Sequence, residues 1–312
     1  MKAIIRTEYG TTDVLELTTI DEPTMSDGEV LVRVEAAGLD QGVWHLMTGL
    51  PYPVRLAGYG IRRPKNPVLG HDRAGHVVAV GAGVTRVAVG DRAFGTADGT
   101  FAEHAVTSED RLVRTPSNLD VVQAGGLATS AIAALRALRD VADVRPGDRV
   151  LVLGASGGVG SAAVQLGKAF GAHVTGVAST GKLALVRSLG ADEVIDYTTT
   201  DVTHTGRRWD VVLDLAGNRP IRQLRRILEP RGRLVLVGGE EGGKWTGGMG
   251  RWLRAALLSL VSRQTLPPLL PGGGVEHLDV LAELAAAGDL FPPIDRTVGL
   301  ADVPQAIDDL RA

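Results

Sequence analysis

The 312-residue sequence predicts an α/β chain in which a β-rich half precedes a doubly wound parallel sheet. Three observations carry this. Near residue 120 the patterning changes from short alternating apolar runs to uniformly apolar runs separated by stretches at helical spacing. A glycine-rich string, GASGGVG at 154–160, joins an apolar run to a helical one. The composition, 44% hydrophobic and 22% charged, is that of an ordinary globular chain. Its 41 glycines beside only 4% aromatics suit turns that approach a ligand closely, and suit poorly a stacking platform for single-stranded nucleic acid.

The elements follow in order. In the first half, β-like runs at 2–6, 29–35, 75–80 and 91–94 lie between Gly, Pro and Asp punctuation, with Val30, Val32 and Val34 alternating along one of them. Together they read as a partly open β-barrel interrupted by an irregular Gly/Pro/Arg stretch between Met47 and Pro67. In the second half, RVLVL at 149–153 is a buried strand and 159–170 a helix. Strands follow at 173–177, 193–196, 210–215 and 233–237, with helices at 182–189 and 219–228. Uniformly apolar strands alternating with helices mean a parallel sheet covered on both faces. Residues 264–270 fall where a further strand is expected, but Pro267 and Pro268 lack the ladder donor, which confines that strand to an edge or makes it irregular. Two helical runs, 278–287 and 303–310, close the chain.

Charge and cysteine content narrow the function. Lysine plus arginine is 33 against 36 acidic residues, a net of −3, so no electrostatic footprint for nucleic acid or an anionic membrane is present. With no cysteine, disulfides, thiolate nucleophiles and cysteine-based zinc sites are excluded. The opening MKAIIRTEYG lacks the apolar run of a signal peptide, and no stretch reaches about 18 unbroken apolar residues, so a soluble, cytoplasmic protein is expected.

The glycine string carries the strongest chemical signal. Gly157 lets the backbone approach a pyrophosphate, Gly160 lets the helix pack closely on the sheet, and the helix N-terminus offers N–H groups to the anion. A strand before it and a helix after it supply the context that a dinucleotide site requires. About 20 residues on, NAD-binding chains carry a carboxylate for the ribose hydroxyls. Here the second strand runs out into Ser179, Thr180 and Lys182, two hydroxyls and an ammonium suited to a phosphate, which points to NADPH.

The whole chain resembles the medium-chain dehydrogenase/reductase superfamily, in its zinc-independent quinone oxidoreductase-like branch. The matching stretches are AAGLD (36–40), NPVLGHDRAGHVVAVGAGV (66–84), GDRAFG (90–95), FAEHAV (101–106), VRPGDRVLVLGASGGVG (144–160), LGADEVIDY (189–197) and GRLVLVGG (232–239). The resemblance implies a GroES-like catalytic domain over 1–120 and 271–312, and a Rossmann NADP-binding domain over 121–270. It assigns Ser156, Gly157, Gly158 and Val159 to the pyrophosphate, and Ser179 and Lys182 to the 2′-phosphate. Tyr197 falls to the adenosine phosphate, and Ser130, Ala216, Gly217, Val237 and Gly238 to the nicotinamide side. It also implies a homodimer, against which the two prolines at the sheet edge argue.

Where zinc-dependent relatives place Cys, Gly-His-Glu and Cys, this chain has Asp40, Gly70-His71-Asp72 and an apolar residue at or near Leu127. Three hard ligands beside an apolar fourth position are expected to form a hydrogen-bond cluster rather than a metal site. Without a Lewis acid, the expected chemistry is hydride transfer from NADPH to an electron-poor acceptor, a quinone or an α,β-unsaturated carbonyl. Asp40, Tyr52, Tyr59 and His71 are the candidate donors to the carbonyl oxygen, with Trp44 and Trp245 as apolar walls. Two alternatives stay open: a zinc-type alcohol dehydrogenase using Asp40, His71 and Asp72, and an NADPH-binding or sensing protein without catalysis.

Overall fold

The computed structural model describes residues 1–238, 243, 245 and 247–311. They form two compact units, Met1–Ser130 with Gly274–Ala312, and Ala131–Gly273. Gly239, the last residue of the GRLVLVGG stretch, lies outside the described residues.

The first unit opens on an antiparallel ribbon, β1 (Lys2–Ile5) with β2 (Glu16–Thr19). Beside it lies a five-stranded antiparallel sheet of β3 (Glu29–Ala36), β4 (Asp72–Val80), β5 (Arg92–Thr96), β6 (His104–Ser108) and β7 (Leu112–Arg114), in the order β6-β3-β4-β5-β7. Alternation sets the inner face: Val30, Val32, Val77, Ala93 and Leu112 pack together with Val87. Strand β4 starts three residues before its apolar run, because Asp72 and Arg73 pair with Thr96 and Gly95 across β5. The pairing, rather than the hydropathy of those two residues, draws them into the sheet.

Helix α1 (Gln41–Thr48) follows β3, in a stretch that the elements expected from sequence leave out. Asp40 caps it, Oδ1 accepting from the backbone N–H of Gly42 at 2.6 Å and of Val43 at 3.3 Å, and Gly49 at φ +61° ends it. The helix buries Val43, Leu46 and Met47 against Ile4, Leu69 and Phe101. Between α1 and β4 the backbone is irregular, as the glycine and proline content predicts, and Tyr9 Oη donates to the Gly60 carbonyl at 2.6 Å to hold it. Helices α2 (Val121–Gly125) and α3 (Ala128–Leu135) lead out of this unit.

The second unit is a five-stranded, wholly parallel sheet: β8 (Arg149–Leu153), β9 (His173–Ala178), β10 (Glu193–Asp196), β11 (Trp209–Asp214) and β12 (Leu228–Leu236). The order β10-β9-β8-β11-β12 reverses direction after β10, so a topological switch point lies beside β8, where such sheets bind ligands at their carboxyl ends. Helices α4 (Gly158–Ala169), α5 (Leu183–Ser188), α6 (Ile221–Arg226) and α7 (Met249–Leu260) connect or flank the strands. Residues 264–270 run along β12 as an irregular parallel edge. Leu234 N–H donates to the Thr265 carbonyl at 2.9 Å and Leu236 N–H to Pro267 at 3.2 Å, so Pro267 serves as an acceptor only.

The chain returns to the first unit with α8 (Val275–Ala287) and α9 (Val303–Arg311), whose Val303 and Ile307 complete the core around α1. No helix among the described residues is long and apolar enough to cross a membrane.

Candidate active site

In the second unit the residues expected to meet a dinucleotide gather at the carboxyl ends of the strands. Strand β8 stops at Leu153 because Gly154, at φ +88°, turns the chain, and the Gly154 and Ala155 N–H groups both donate to the Val177 carbonyl, at 3.2 and 3.0 Å. Ser156 follows, Gly157 caps α4 at φ −77°, and Gly158 and Val159 form its first turn, whose N–H groups have no partner inside the helix. The two glycines of this loop answer to different pressures. A Cβ on Gly160 would collide with the Gly154 carbonyl and lie 2.8 Å from Ala155 Cα, so close packing of helix on loop requires glycine. A Cβ on Gly157 would meet only the Gly154 carbonyl, at an ordinary 3.7 Å. Among the described residues no contact requires glycine there; the space it leaves open lies over a positive helix end.

At the ends of β9 and β10, Ser179, Thr180, Lys182 and Tyr197 come together: Lys182 N–H donates to the Ser179 carbonyl at 2.9 Å, and Tyr197 N–H to the Ala178 carbonyl at 3.2 Å. One neighbour was missed. Asp196 closes β10 and accepts from Thr180 Oγ1 at 2.5 Å and from Thr198 Oγ1 at 2.7 Å. These hydrogen bonds hold the Asp196 carboxyl below its usual range. A carboxylate therefore stands beside the hydroxyls after all, and the Thr180 hydroxyl is committed to it. No local pattern could have revealed a partner 16 residues away on the neighbouring strand.

Ala216, Gly217, Val237 and Gly238 lie just past β11 and β12 around a second missed feature. Asp214 is fully buried; its carboxylate pairs with Arg251 of α7 and accepts from Gly217 N–H at 3.1 Å, while its carbonyl accepts from Val237 and Gly238 at 3.1 and 3.0 Å. The Arg251 guanidinium also donates to the Arg219 carbonyl at 2.7 Å. This buried ion pair fixes both strand ends. Gly238 can sit there because a Cβ would strike the Leu215 carbonyl. Trp245, proposed as a wall, is largely exposed.

The first unit holds Asp40, Tyr52, His71 and Ser130. Asp72 is buried, and both of its carboxylate oxygens accept from Thr129, the backbone N–H at 3.0 Å and also Oγ1. Burial, with the nearby Asp40 charge, pushes the Asp72 carboxyl up to about 7, against the pull of those hydrogen bonds. Asp40 spends Oδ1 on capping α1 and leaves Oδ2 buried without a hydrogen-bond partner among the described residues. His71, by contrast, faces Asp98, Nδ1 to Oδ1 at 3.7 Å. Among the described residues no group of three His, Asp or Glu side chains assembles that could hold a metal. Asp72 is taken up by Thr129, Asp40 commits one oxygen to α1, and His71 looks toward Asp98, so these side chains do not converge as a zinc donor set.

His71 does line a cavity of about 460 Å³, with Arg6, Tyr59, Lys65, Asn66 and Asp98 around it and Leu46, Val68 and Leu69 supplying apolar wall. Burial, and then the Asp98 charge, raise the Tyr59 phenol above its ordinary range, so it keeps its proton at neutral pH. Tyr52 is not among the lining residues; its ring lies 5.1 Å from the Arg55 guanidinium, which also stacks 4.3 Å from Tyr9. Trp44 packs against the α1 core and carries Arg311 at 5.1 Å. Arg6 is the residue that sequence reasoning passed over: a lone arginine ending a strand reads as solvated, and here it is 4% exposed.

Comparison with known proteins agrees with this architecture. Residues 26–117 match the alcohol dehydrogenase GroES-like domain, and residues 189–312 the zinc-binding dehydrogenase family. The chloroplast envelope quinone oxidoreductase homolog of Arabidopsis thaliana is 30% identical over 294 residues, 90% of this chain and 85% of that protein. The NADPH-dependent alkenal/one oxidoreductase of the same plant is 36% identical over 237 residues, 70% of this chain and 58% of that one. The solved quinone oxidoreductase of Coxiella burnetii superposes with a TM-score of 0.85 at 27% identity, over 100% of this chain and 95% of the other. The chain belongs to the medium-chain dehydrogenase/reductase superfamily, in its quinone oxidoreductase-like branch.

Proposed function

We propose that this protein is an NADPH-dependent oxidoreductase that reduces a quinone or an α,β-unsaturated carbonyl without a metal. The observation that carries it is the loop before α4, where Gly157 leaves room over a helix N-terminus that no contact among the described residues explains. Ser156, Gly157, Gly158 and Val159 would hold the pyrophosphate, with Tyr197 beside the adenosine phosphate. Ser179 and Lys182 favour the 2′-phosphorylated cofactor. Thr180 adds less to that preference than its hydroxyl suggests, since its O–H already donates to Asp196. Ala216, Gly217, Val237 and Gly238, held by the Asp214–Arg251 pair, would line the nicotinamide side, with Ser130 assigned to it by resemblance. The names of the quinone and alkenal/one relatives support the acceptor class.

When bound, the cofactor supplies a hydride to an electron-poor carbon. The protein's own part is to orient the acceptor, keep water away and meet charge that develops on the carbonyl oxygen. Tyr59 Oη, protonated at neutral pH and set on the cavity wall, can donate there, and His71 lies on the same wall. Asp40 and Asp72 act on shape instead: one caps α1, the other ties β4 to Thr129.

The test is to follow loss of NADPH and NADH absorbance with a panel of quinones and enones on chelator-treated protein. Rapid, NADPH-selective consumption is expected. Binding of NADPH with no turnover of any acceptor would overturn the assignment and return weight to a non-catalytic role.

A further inference from the structure

The cavity of the first unit holds a charge that reduction of a neutral quinone or enone does not use. Arg6 extends from the end of β1 into the cavity lining at 4% exposure. Its Nη2 donates to the Leu46 carbonyl at 3.2 Å, but Nε and Nη1 are buried with no hydrogen-bond partner among the described residues. Those two nitrogens carry three N–H bonds on a group that stays charged at neutral pH. Buried polar groups are almost always partnered, and a buried cation left bare is costly, so an unmet guanidinium on a cavity wall points to a ligand that meets it.

The surroundings fix the sign and size of that ligand. Lys65 stands on the exposed part of the lining and adds a cationic donor, while the Asn66 amide is engaged by the Asp98 carbonyl and the Val68 N–H. The one carboxylate among the lining residues, Asp98, is already paired with Arg111 at 3.2 Å, which leaves the wall with an excess of positive charge. Leu46, Val68 and Leu69 supply apolar surface, and about 460 Å³ falls within the roughly 300–1,000 Å³ of small-molecule sites.

From Arg6, whose Nε and Nη1 lack partners on the wall of a cavity that also carries Lys65 and apolar side chains, we infer that the acceptor carries a carboxylate, which Arg6 receives while the carbon skeleton lies along Leu46, Val68 and Leu69. This deepens the proposed reductase function by naming a substrate class, an α,β-unsaturated ketone with a carboxylate. As an acceptor it rests on that function; as a binding site it does not.

The experiment therefore separates binding from turnover. Calorimetric titration of the whole protein with 4-oxopentanoate, which cannot be reduced at a C=C bond, is compared with titration by its methyl ester. Wild type is expected to bind the carboxylate at least about tenfold more tightly, the scale of one charged hydrogen bond. Arg6→Met should abolish that preference at an unchanged or higher Tm, since an uncompensated buried charge is removed. Arg6→Lys, which keeps the charge, should retain part of the preference and guards against misfolding of the methionine variant. The kcat/KM ratio of 4-oxopent-2-enoate to its methyl ester should fall in Arg6→Met by a similar factor. Equal binding of acid and ester by wild type, or a preference that survives Arg6→Met, overturns the inference. A carboxylate preference in calorimetry with no turnover of any acceptor upholds the site and sinks the reductase assignment. Turnover of neutral acceptors without any preference does the reverse.

Discussion

The glycines of the loop before α4 allow one prediction to be worked through, because the structure assigns them opposite reasons for being glycine. Gly157 sits at φ −77°, where alanine is unstrained, and an added Cβ meets only the Gly154 carbonyl at 3.7 Å. Gly157→Ala should therefore leave stability within about 0.5 kcal/mol, a small loss of capping offset by reduced freedom of the unfolded chain. On the proposed function the methyl enters the space that the pyrophosphate would take. Losing one hydrogen bond to a charged group, about 1.5–3 kcal/mol, weakens cofactor binding roughly 10- to 100-fold. At Gly160 the methyl collides with the Gly154 carbonyl and crowds Ala155 Cα at 2.8 Å, contacts with backbone that cannot step aside. Overpacking of this kind costs about 3 kcal/mol, or a Tm lowered by roughly 6–12 °C. Thermal denaturation of both variants, with NADPH binding followed by its fluorescence, reads the contrast. Unimpaired NADPH binding by Gly157→Ala, or a Tm unchanged in Gly160→Ala, would refute the argument.

Three further predictions concern other parts of the molecule. Lys182→Glu should raise KM for NADPH about 10- to 100-fold while leaving KM for NADH nearly unchanged, and steady-state kinetics with both cofactors would show an equal shift if Lys182 makes no phosphate contact. Arg251→Met strands the fully buried Asp214 carboxylate and should cost about 3–5 kcal/mol in denaturant unfolding, against less than 1 kcal/mol if the pair is dispensable. Asp72 titrates near 7 when folded and in the ordinary carboxylate range when unfolded, so from about pH 4 to 7 the folded state holds the extra proton. Its contribution to stability is thus full at acid pH and lost as pH rises through 7; Asp72→Asn should flatten that slope in urea titrations, and an unaltered slope would count against the assignment.

Where the sequence was informative, the reason was local. RVLVL became β8 with its bounds unchanged, because four apolar residues between Arg149 and Gly154 form a short, uniformly buried strand. GASGGVG became a turn and helix because Gly154 takes φ +88° and Gly160 must pack against the Gly154 carbonyl and Ala155, both local demands. The proline-bearing 264–270 edge is irregular for the reason proline chemistry gives. What escaped was set by distant partners. Asp40 drew attention as a vanished metal ligand, although Asp-Gln-Gly with Gly49 eight residues beyond Gln41 is a helix start and stop that could have been read. Asp196 on Thr180, Asp214 on Arg251 and the burial of Arg6 bring together residues 16, 37 and 40 or more apart in sequence, which no periodicity encodes. Tyr59 rather than Tyr52 lines the cavity for the same reason, since the irregular 47–67 stretch follows no pattern that fixes side-chain direction.

Hydride transfer itself is the most direct test. Chelator-treated protein would be supplied with NADPH deuterated at C4, each epimer in turn, and an enone acceptor, and the product examined by mass spectrometry and NMR. The account predicts one deuterium at the β-carbon from one epimer only, with the α-hydrogen drawn from solvent. Product lacking deuterium from both epimers, or formation of product only after zinc is restored, would contradict it.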